Sequence, residues 1–172
     1  MNAFVLLIPI LLIRYGLLGM LNKEALKRAA YFPPLLGKER IAYWVYQVTT
    51  LLIFVYLFSL KIRPDSIWFI AGLLLYGLGT ALYIASVANY AAMKGNGISV
   101  TGLYRISRNP MYVSYFLYFL GCALLTRSLL LFLLVLVFQV SSHWIILSEE
   151  RWCVQKFGQE YVKYIERVGR YI

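Results

Sequence analysis

Residues 111–147 read MYVSYFLYFLGCALL-TRS-LLLFLLVLVFQVSSHWIIL, two apolar runs, Met111–Leu125 and Leu129–Leu147, with only Thr126, Arg127 and Ser128 between them. A helix needs about 20 residues to cross a hydrocarbon core of about 30 Å. Three polar residues are too few to lead the chain anywhere but back, so the pair predicts a tight antiparallel hairpin of membrane helices. Its first member is short, about 15 residues or roughly 22 Å, and so tilts or pinches the bilayer locally.

Three more apolar segments, Ala3–Leu21, Ile41–Leu60 and Ile67–Met93, precede the hairpin. The chain has 172 residues, of which 62% are hydrophobic and 14% charged, with a mean hydropathy of +0.72. A soluble domain carries roughly twice that charged fraction. The expected fold is all-α: a polytopic membrane bundle of about five transmembrane helices, with the C-terminal hairpin followed by a short cytoplasmic amphipathic helix. It forms one membrane-embedded domain over 1–172, with three N-terminal helices in 1–93 and the part that carries chemistry in 94–172. The start, MNAFVLLIPILLIRYG, has neither a positive n-region nor a small-residue cleavage site and is expected to stay as a helix.

The formal net charge of +10 is not arranged as a basic stripe interleaved with aromatics, so it points to anionic lipid head groups and topology, with no nucleic acid as partner. Placing 22–40, 94–110 and the C-terminal tail on one side gives that side Lys23, Lys27, Arg28, Lys38, Arg40, Lys94, Arg105, Arg108, Arg151, Lys156, Lys163, Arg167 and Arg170. The other side has Lys61, Arg63 and Arg127. The positive-inside rule puts the first group in the cytoplasm, the N-terminus outside and the C-terminus inside. Arg14 alone is left within a membrane segment; an intramembrane charge is a functional candidate by default, and the plainer expectation is that it snorkels or pairs inside the bundle. The first cytoplasmic loop, with Lys23, Lys27, Arg28 and then Pro33-Pro34, reads as a connector lying on acidic lipid. Cys122 and Cys153 are too few for a disulfide framework and are expected to be free. One histidine and no Cys or His pair at ligand spacing imply no metal site.

Two stretches hold polar residues that topology alone does not require. In Gly102–Tyr112, GLYRISRNPMY, Pro110 suits the first turn of a helix and Asn109 the N-cap before it. Arg105, Arg108 and Asn109 therefore crowd a helix N-terminus, a place that favours anions. Lys94–Gly97 (KGNG) is expected to break the helix before this loop, and Thr101-Gly102 to form a second joint. In the last apolar segment Gln139, Ser142 or His143, Ile146, and Glu149 or Glu150 recur at helical spacing. Two adjacent acids at a helix C-terminus oppose the dipole and need a compensating partner; Arg105 and Arg108 are the candidates. After Phe157-Gly158, the residues Tyr161, Tyr164, Ile165 and Val168 share one face of a short amphipathic helix, suited to closing a pocket from below.

These three blocks carry a resemblance. The order Gly102-x-Tyr104-x-x-x-Arg108-Asn109-Pro110-x-Tyr112, Glu149-Glu150, and Phe157-Gly158-x-x-Tyr161-x-x-Tyr164-x-x-Arg167 resembles the integral-membrane methyltransferases. That group joins isoprenylcysteine carboxyl methyltransferase with the phospholipid (phosphatidylethanolamine) N-methyltransferases. The resemblance runs from about Ile98 to the C-terminus. It implies a cytoplasm-facing pocket for S-adenosylmethionine, contacted by Tyr104, Asn109, Pro110, Met111, Tyr112 and Glu149, with a lipophilic acceptor reaching it from the bilayer. Asn109 stands where histidine is more usual and cannot titrate. Ile145 stands where the prenylcysteine enzymes look to have an arginine for the acceptor carboxylate, which leaves Arg108 or Arg167 to take that part.

Methyl transfer from a sulfonium is an in-line displacement that asks for alignment and exclusion of water. A carboxylate acceptor needs no base; an amine, phenol or enol does, and His143, Glu150 and Glu160 are the available groups. As a lone polar residue on an apolar helix, His143 also suits a packed, hydrogen-bonded position. The candidate catalytic residues are thus Arg108, Glu150, His143 and Arg167. The leading expectation is an S-adenosylmethionine-dependent membrane methyltransferase like the isoprenylcysteine carboxyl enzymes. The alternatives are a phospholipid N-methyltransferase and, from another class, a non-catalytic scaffold or lipid-binding protein of the same fold.

Overall fold

The computed structural model describes residues 1–93 and 97–172; Lys94, Gly95 and Asn96 of the expected helix break lie outside the described residues. The N-terminal segment forms one continuous helix, α1 (Ala3–Leu21). Its turns are tight over Ala3–Leu7, regular over Ile8–Leu11, widened to π form over Leu12–Leu17 and regular again over Leu18–Leu21. Widened turns of this kind are rare and concentrate at functional sites; this one carries Arg14.

A short helix, α2 (Lys23–Ala29), follows at once, capped by Asn22, whose Oδ1 accepts from the backbone N–H groups of Glu24 and Ala25 at 3.0 Å each. The same asparagine donates through Nδ2 to the Ala91 carbonyl at 3.1 Å, and Ala25 is buried. The basic loop expected to lie on the lipid surface is therefore docked against the bundle, because one capping residue bonds in both directions.

Next come α3 (Glu39–Ser59), α4 (Trp68–Ala91), α5 (Pro110–Thr126), α6 (Leu129–Phe157) and α7 (Gln159–Arg167). Among the described residues α1, α3, α4 and α6 are long and apolar enough to cross a membrane, and α5 is the shorter apolar helix of the predicted hairpin. The hairpin closes through Arg127, in the left-handed region at φ 51°, and Ser128, whose Oγ accepts from Leu131 N at 3.2 Å. Helix α6 continues ten residues beyond the apolar run that ends at Leu147. That extension carries both glutamates, held by partners described below.

In lipid, apolar burial alone gives helices little reason to associate, so close packing through small residues takes over. Helix α4 lies along α5 in this way. A Cβ on Gly79 would stand 2.5 Å from the Tyr118 backbone nitrogen, and one on Gly121 2.5 Å from that of Tyr76. Helix α3 packs along α6, and the core of the bundle holds Ile53, Leu57, Tyr83, Tyr118, Leu131, Val135 and Phe138.

The bundle has two distinct ends. At one, Ala3 N donates to Leu60 O at 2.9 Å, Ile62 N to Met1 O at 3.0 Å and Arg63 N to Leu125 O at 2.9 Å. At the other, Arg151 forks onto both Glu39 carboxylate oxygens at 2.5 and 2.7 Å. Lys61, Arg63 and Arg127 share the first end; the tail, α2 and the loop before α5 share the second.

That loop depends on Gly102. Its φ is +57°, and a Cβ there would sit 1.9 Å from Asn89 Oδ1, the atom that accepts from Leu103 N at 2.8 Å. Gly102→Ala is expected to lower unfolding stability by about 1–3 kcal/mol, from left-handed strain and the lost hydrogen bond. Thermal unfolding in detergent checks it; no change would mean that the loop rearranges freely.

Candidate active site

A cavity of about 500 Å³ lies at the second end of the bundle, between α2, the N-terminal turn of α5, the extension of α6 and α7. Aromatic rings make much of its wall, among them Tyr46, Tyr90, Tyr104, Tyr112, Tyr115 and Trp152; the charged residues Arg14, Lys27, Arg28, Arg108, Glu149, Glu150 and Lys156 also face it.

Glu150 is buried and doubly clamped. Its Oε1 accepts from Arg108 Nη2 at 3.1 Å and from Asn109 Nδ2 at 3.4 Å. Its Oε2 accepts from Arg170 Nε at 3.0 Å and Nη2 at 2.9 Å. Arg108 also donates through Nη1 to the Ile165 carbonyl at 3.2 Å. The hydrogen bond to Glu150 holds the Arg170 guanidinium above its ordinary pKa.

The expected partner for the acid pair is thus Arg108, joined by Arg170. Arg105, the other candidate, is exposed. Asn109 is at the N-cap position of α5, but its side chain makes no capping bond. It points to Glu150 and to the Arg170 carbonyl at 3.2 Å, because the site competes for its amide.

The last four residues strap this cluster together. Arg108 N donates to Gly169 O at 3.0 Å, Ser107 Oγ to Arg170 O at 3.4 Å, and Tyr171 OH bonds His143 Nδ1 at 2.7 Å. From α7, Tyr161 and Tyr164 are buried. Burial pushes the Tyr164 phenol up to about 12, so it stays protonated and donates to the Tyr104 carbonyl at 2.6 Å. Burial also pushes the Tyr104 phenol well above its usual range.

Glu149 has a different partner. Tyr112 OH donates to its Oε1 at 3.0 Å, and no arginine is paired with it among the described residues.

Of the residues singled out in the sequence, Tyr104, Arg108, Asn109, Met111, Tyr112, Glu149 and Glu150 line the cavity. Pro110 is buried at the first position of α5 and does not face it. His143 is taken up by Tyr171 outside the cavity, and Arg167 and Glu160 are exposed on α7. The structure therefore does not bring His143 or Arg167 to the other candidates: Arg167 is the last residue of α7 and is exposed. Arg14, Tyr46 and Tyr90 were not singled out for the site. The charge of Arg14 amid apolar residues was a signal; the tyrosines gave none, since on an apolar helix a ring facing lipid and a ring facing a cavity read alike. Among the described residues no group of three His, Cys, Asp or Glu could hold a metal ion, and both cysteines are free.

A family model described as phospholipid methyltransferase matches residues 67–160, more than half the chain. The chain belongs to the phospholipid methyltransferase family. Comparison with curated proteins and with solved structures returned no match. The stretch shared with the phospholipid methyltransferase family runs from just before α4 to the start of α7 and includes Tyr104, Asn109, Tyr112, Glu149 and Glu150. Helices α1 to α3, with Arg14 and Tyr46, and the strap with Arg170 lie outside it.

Proposed function

We propose that the chain is an S-adenosylmethionine-dependent methyltransferase acting on a lipophilic or lipid-linked acceptor at the cytoplasmic face of the membrane. The observation that supports it most is a carboxylate, Glu149, set among tyrosine rings in a cavity at one end of the apolar bundle. Its volume falls within the range of about 300–1,000 Å³ usual for small-molecule sites. Aromatic faces and an unpaired carboxylate suit a ligand carrying sulfonium and ammonium charges. Bound there, S-adenosylmethionine would supply an electrophilic methyl group. The chain's own residues have no covalent work to do. Tyr112 fixes Glu149, the Arg108–Glu150–Arg170 cluster with α7 closes the cavity from below, and the packed rings keep water out.

Two acceptor chemistries remain in view, each with an observation behind it. An isoprenylcysteine carboxyl methyltransferase-like reaction is supported by Arg14, a cation facing the cavity. Ile145 is fully buried, Arg108 is engaged by Glu150 and Arg167 is exposed. Lys27, Arg28 and Lys156 also line the cavity, but Lys27 is paired with Glu24, Arg28 lies over the Tyr90 ring and Lys156 over that of Trp152. Arg14, on α1, is the cation we assign to an acceptor carboxylate. Phospholipid amine methylation is supported by the family description. In a scaffold or lipid-binding protein of this fold the cavity would bind without turnover.

Incubating the membrane-reconstituted protein with S-adenosylmethionine and an extracted lipid fraction tests the proposal. A product heavier by one CH₂, made only by the active protein, supports it; no such product together with no cofactor binding favours the scaffold. The charge partition between the bundle ends supports an N-terminus outside and a C-terminus in the cytoplasm. Single cysteines placed at Asn2 and at Ile172 should then label from opposite faces of intact cells, and labelling from one face would overturn the orientation.

A further inference from the structure

We infer that Arg14 holds the oxyanion of the acceptor's head group, so that the cavity has a cationic acceptor side and an anionic donor side one helical turn apart. This rests on the methyltransferase proposed above. The guanidinium donates to Tyr115 OH at 3.1 Å and to the Ala29 carbonyl at 2.8 Å. Both partners are neutral. The ion pairs among the described residues, Lys27–Glu24, Arg108–Glu150, Arg151–Glu39 and Arg170–Glu150, leave Arg14 out. A charge at membrane depth is costly and is kept where it faces a cavity or a partner.

Arg14 is not free to snorkel away from the site. Tyr115 holds it inward and is itself anchored by donating to Tyr83 OH at 3.0 Å in the buried core. With two of its five N–H donors used in these bonds, the planar fork has donors left for an anion in the cavity. The widened turns of α1 set Arg14 at this depth.

On α5, Tyr112 lies one turn before Tyr115, their rings edge to face with centroids 6.2 Å apart, and Tyr112 holds Glu149. Two neighbouring tyrosines thus present opposite charges to one space. A sulfonium is drawn toward Glu149, and an acceptor oxyanion toward Arg14. A lipid-linked carboxylate and a phospholipid phosphate share that oxyanion chemistry.

Calorimetry in dodecyl maltoside, which carries no oxyanion, separates the sources, with S-adenosylhomocysteine at saturation. One pair of probes is N-acetyl-S-farnesylcysteine and its carboxamide; the other is a short-chain phosphatidylethanolamine and the diacylglycerol of the same chains. In the wild-type protein the oxyanion-bearing member of one pair should bind about tenfold or more tighter than its counterpart without the oxyanion; the pair that shows it names the source. Arg14→Gln should abolish the preference, Arg14→Lys should keep part of it, and S-adenosylhomocysteine affinity should stay within about twofold in both. If Arg14→Gln fails to fold, Tyr115→Phe, which removes only the hydroxyl that aims the guanidinium, should still weaken the preference. A preference that survives Arg14→Gln or Tyr115→Phe overturns the inference, as does its absence from both wild-type pairs. Loss of S-adenosylhomocysteine binding in step with the preference would put the cofactor carboxylate at Arg14 instead, and also overturns it. Wild-type protein that binds no S-adenosylhomocysteine at all contradicts the proposed function itself, a distinct result.

Discussion

Glu150→Gln should lower the stability of the detergent-solubilised protein by about 3–5 kcal/mol, the cost of removing one partner from a buried ion pair. The glutamine nearly matches the carboxylate in shape, so little cavity is created. What changes is charge: Arg108, its side chain only 6% exposed, is left beside a neutral amide with nowhere to find water. Arg170, a third exposed, can turn outward and regain hydration, so most of the cost comes from Arg108. Methyl transfer should be lost together with the ordering of the tail. Thermal unfolding of the variant against wild type reads the effect. A change under about 1 kcal/mol would show that the pair is solvated and worth no more than a surface bridge.

Removing Gly169–Ile172 should be the second large effect, falling on function more than on the bundle. The truncation takes away the two bonds from Arg170 to Glu150, the carbonyl that receives Arg108 N, and the tyrosine that occupies His143. The charge-assisted pair alone is worth about 1.5–3 kcal/mol. No residue of the packed core lies in those four positions, so helicity should be unchanged. S-adenosylhomocysteine affinity should fall by about tenfold or more as Arg108 and Asn109 lose their fixed positions. Wild-type affinity in the truncated protein would show that the tail merely rests on the site.

The bundle itself was legible in the sequence because lipid allows few structures. Five apolar segments in lipid must be helices, and Thr126-Arg127-Ser128 is too short for anything but a hairpin. Pro110 at the head of α5 and Gly158 between α6 and α7 also read directly, since each sets a backbone angle. The acid pair announced itself by standing at an unfavourable helix end, and Arg108 proved to be one of its partners. Other features were hidden for physical reasons. Asn109 looked like a cap because capping is local, whereas its bonds to Glu150 and Arg170 join residues far apart in sequence. Arg170 comes just after α7, among residues whose only local signal was amphipathicity. The cavity's N-terminal wall was out of reach as well: nothing local in the basic loop told that Asn22 bonds Ala91, and nothing in Tyr46 or Tyr90 told which way their rings face.

The central claim is that the cavity holds a cationic methyl donor against Glu149, and calorimetry of S-adenosylhomocysteine with wild type and Glu149→Gln tests it most directly. Although the product has lost the sulfonium charge, it keeps the ammonium and adenosine groups that the carboxylate and the rings would hold. Wild type should show saturable micromolar binding. Glu149→Gln should lose about 1.5–3 kcal/mol of it, the worth of a hydrogen bond to a charged group, with its melting temperature little changed, since Tyr112 can still donate to the amide oxygen. Undiminished affinity in Glu149→Gln, or no binding to the wild-type protein, would contradict the account.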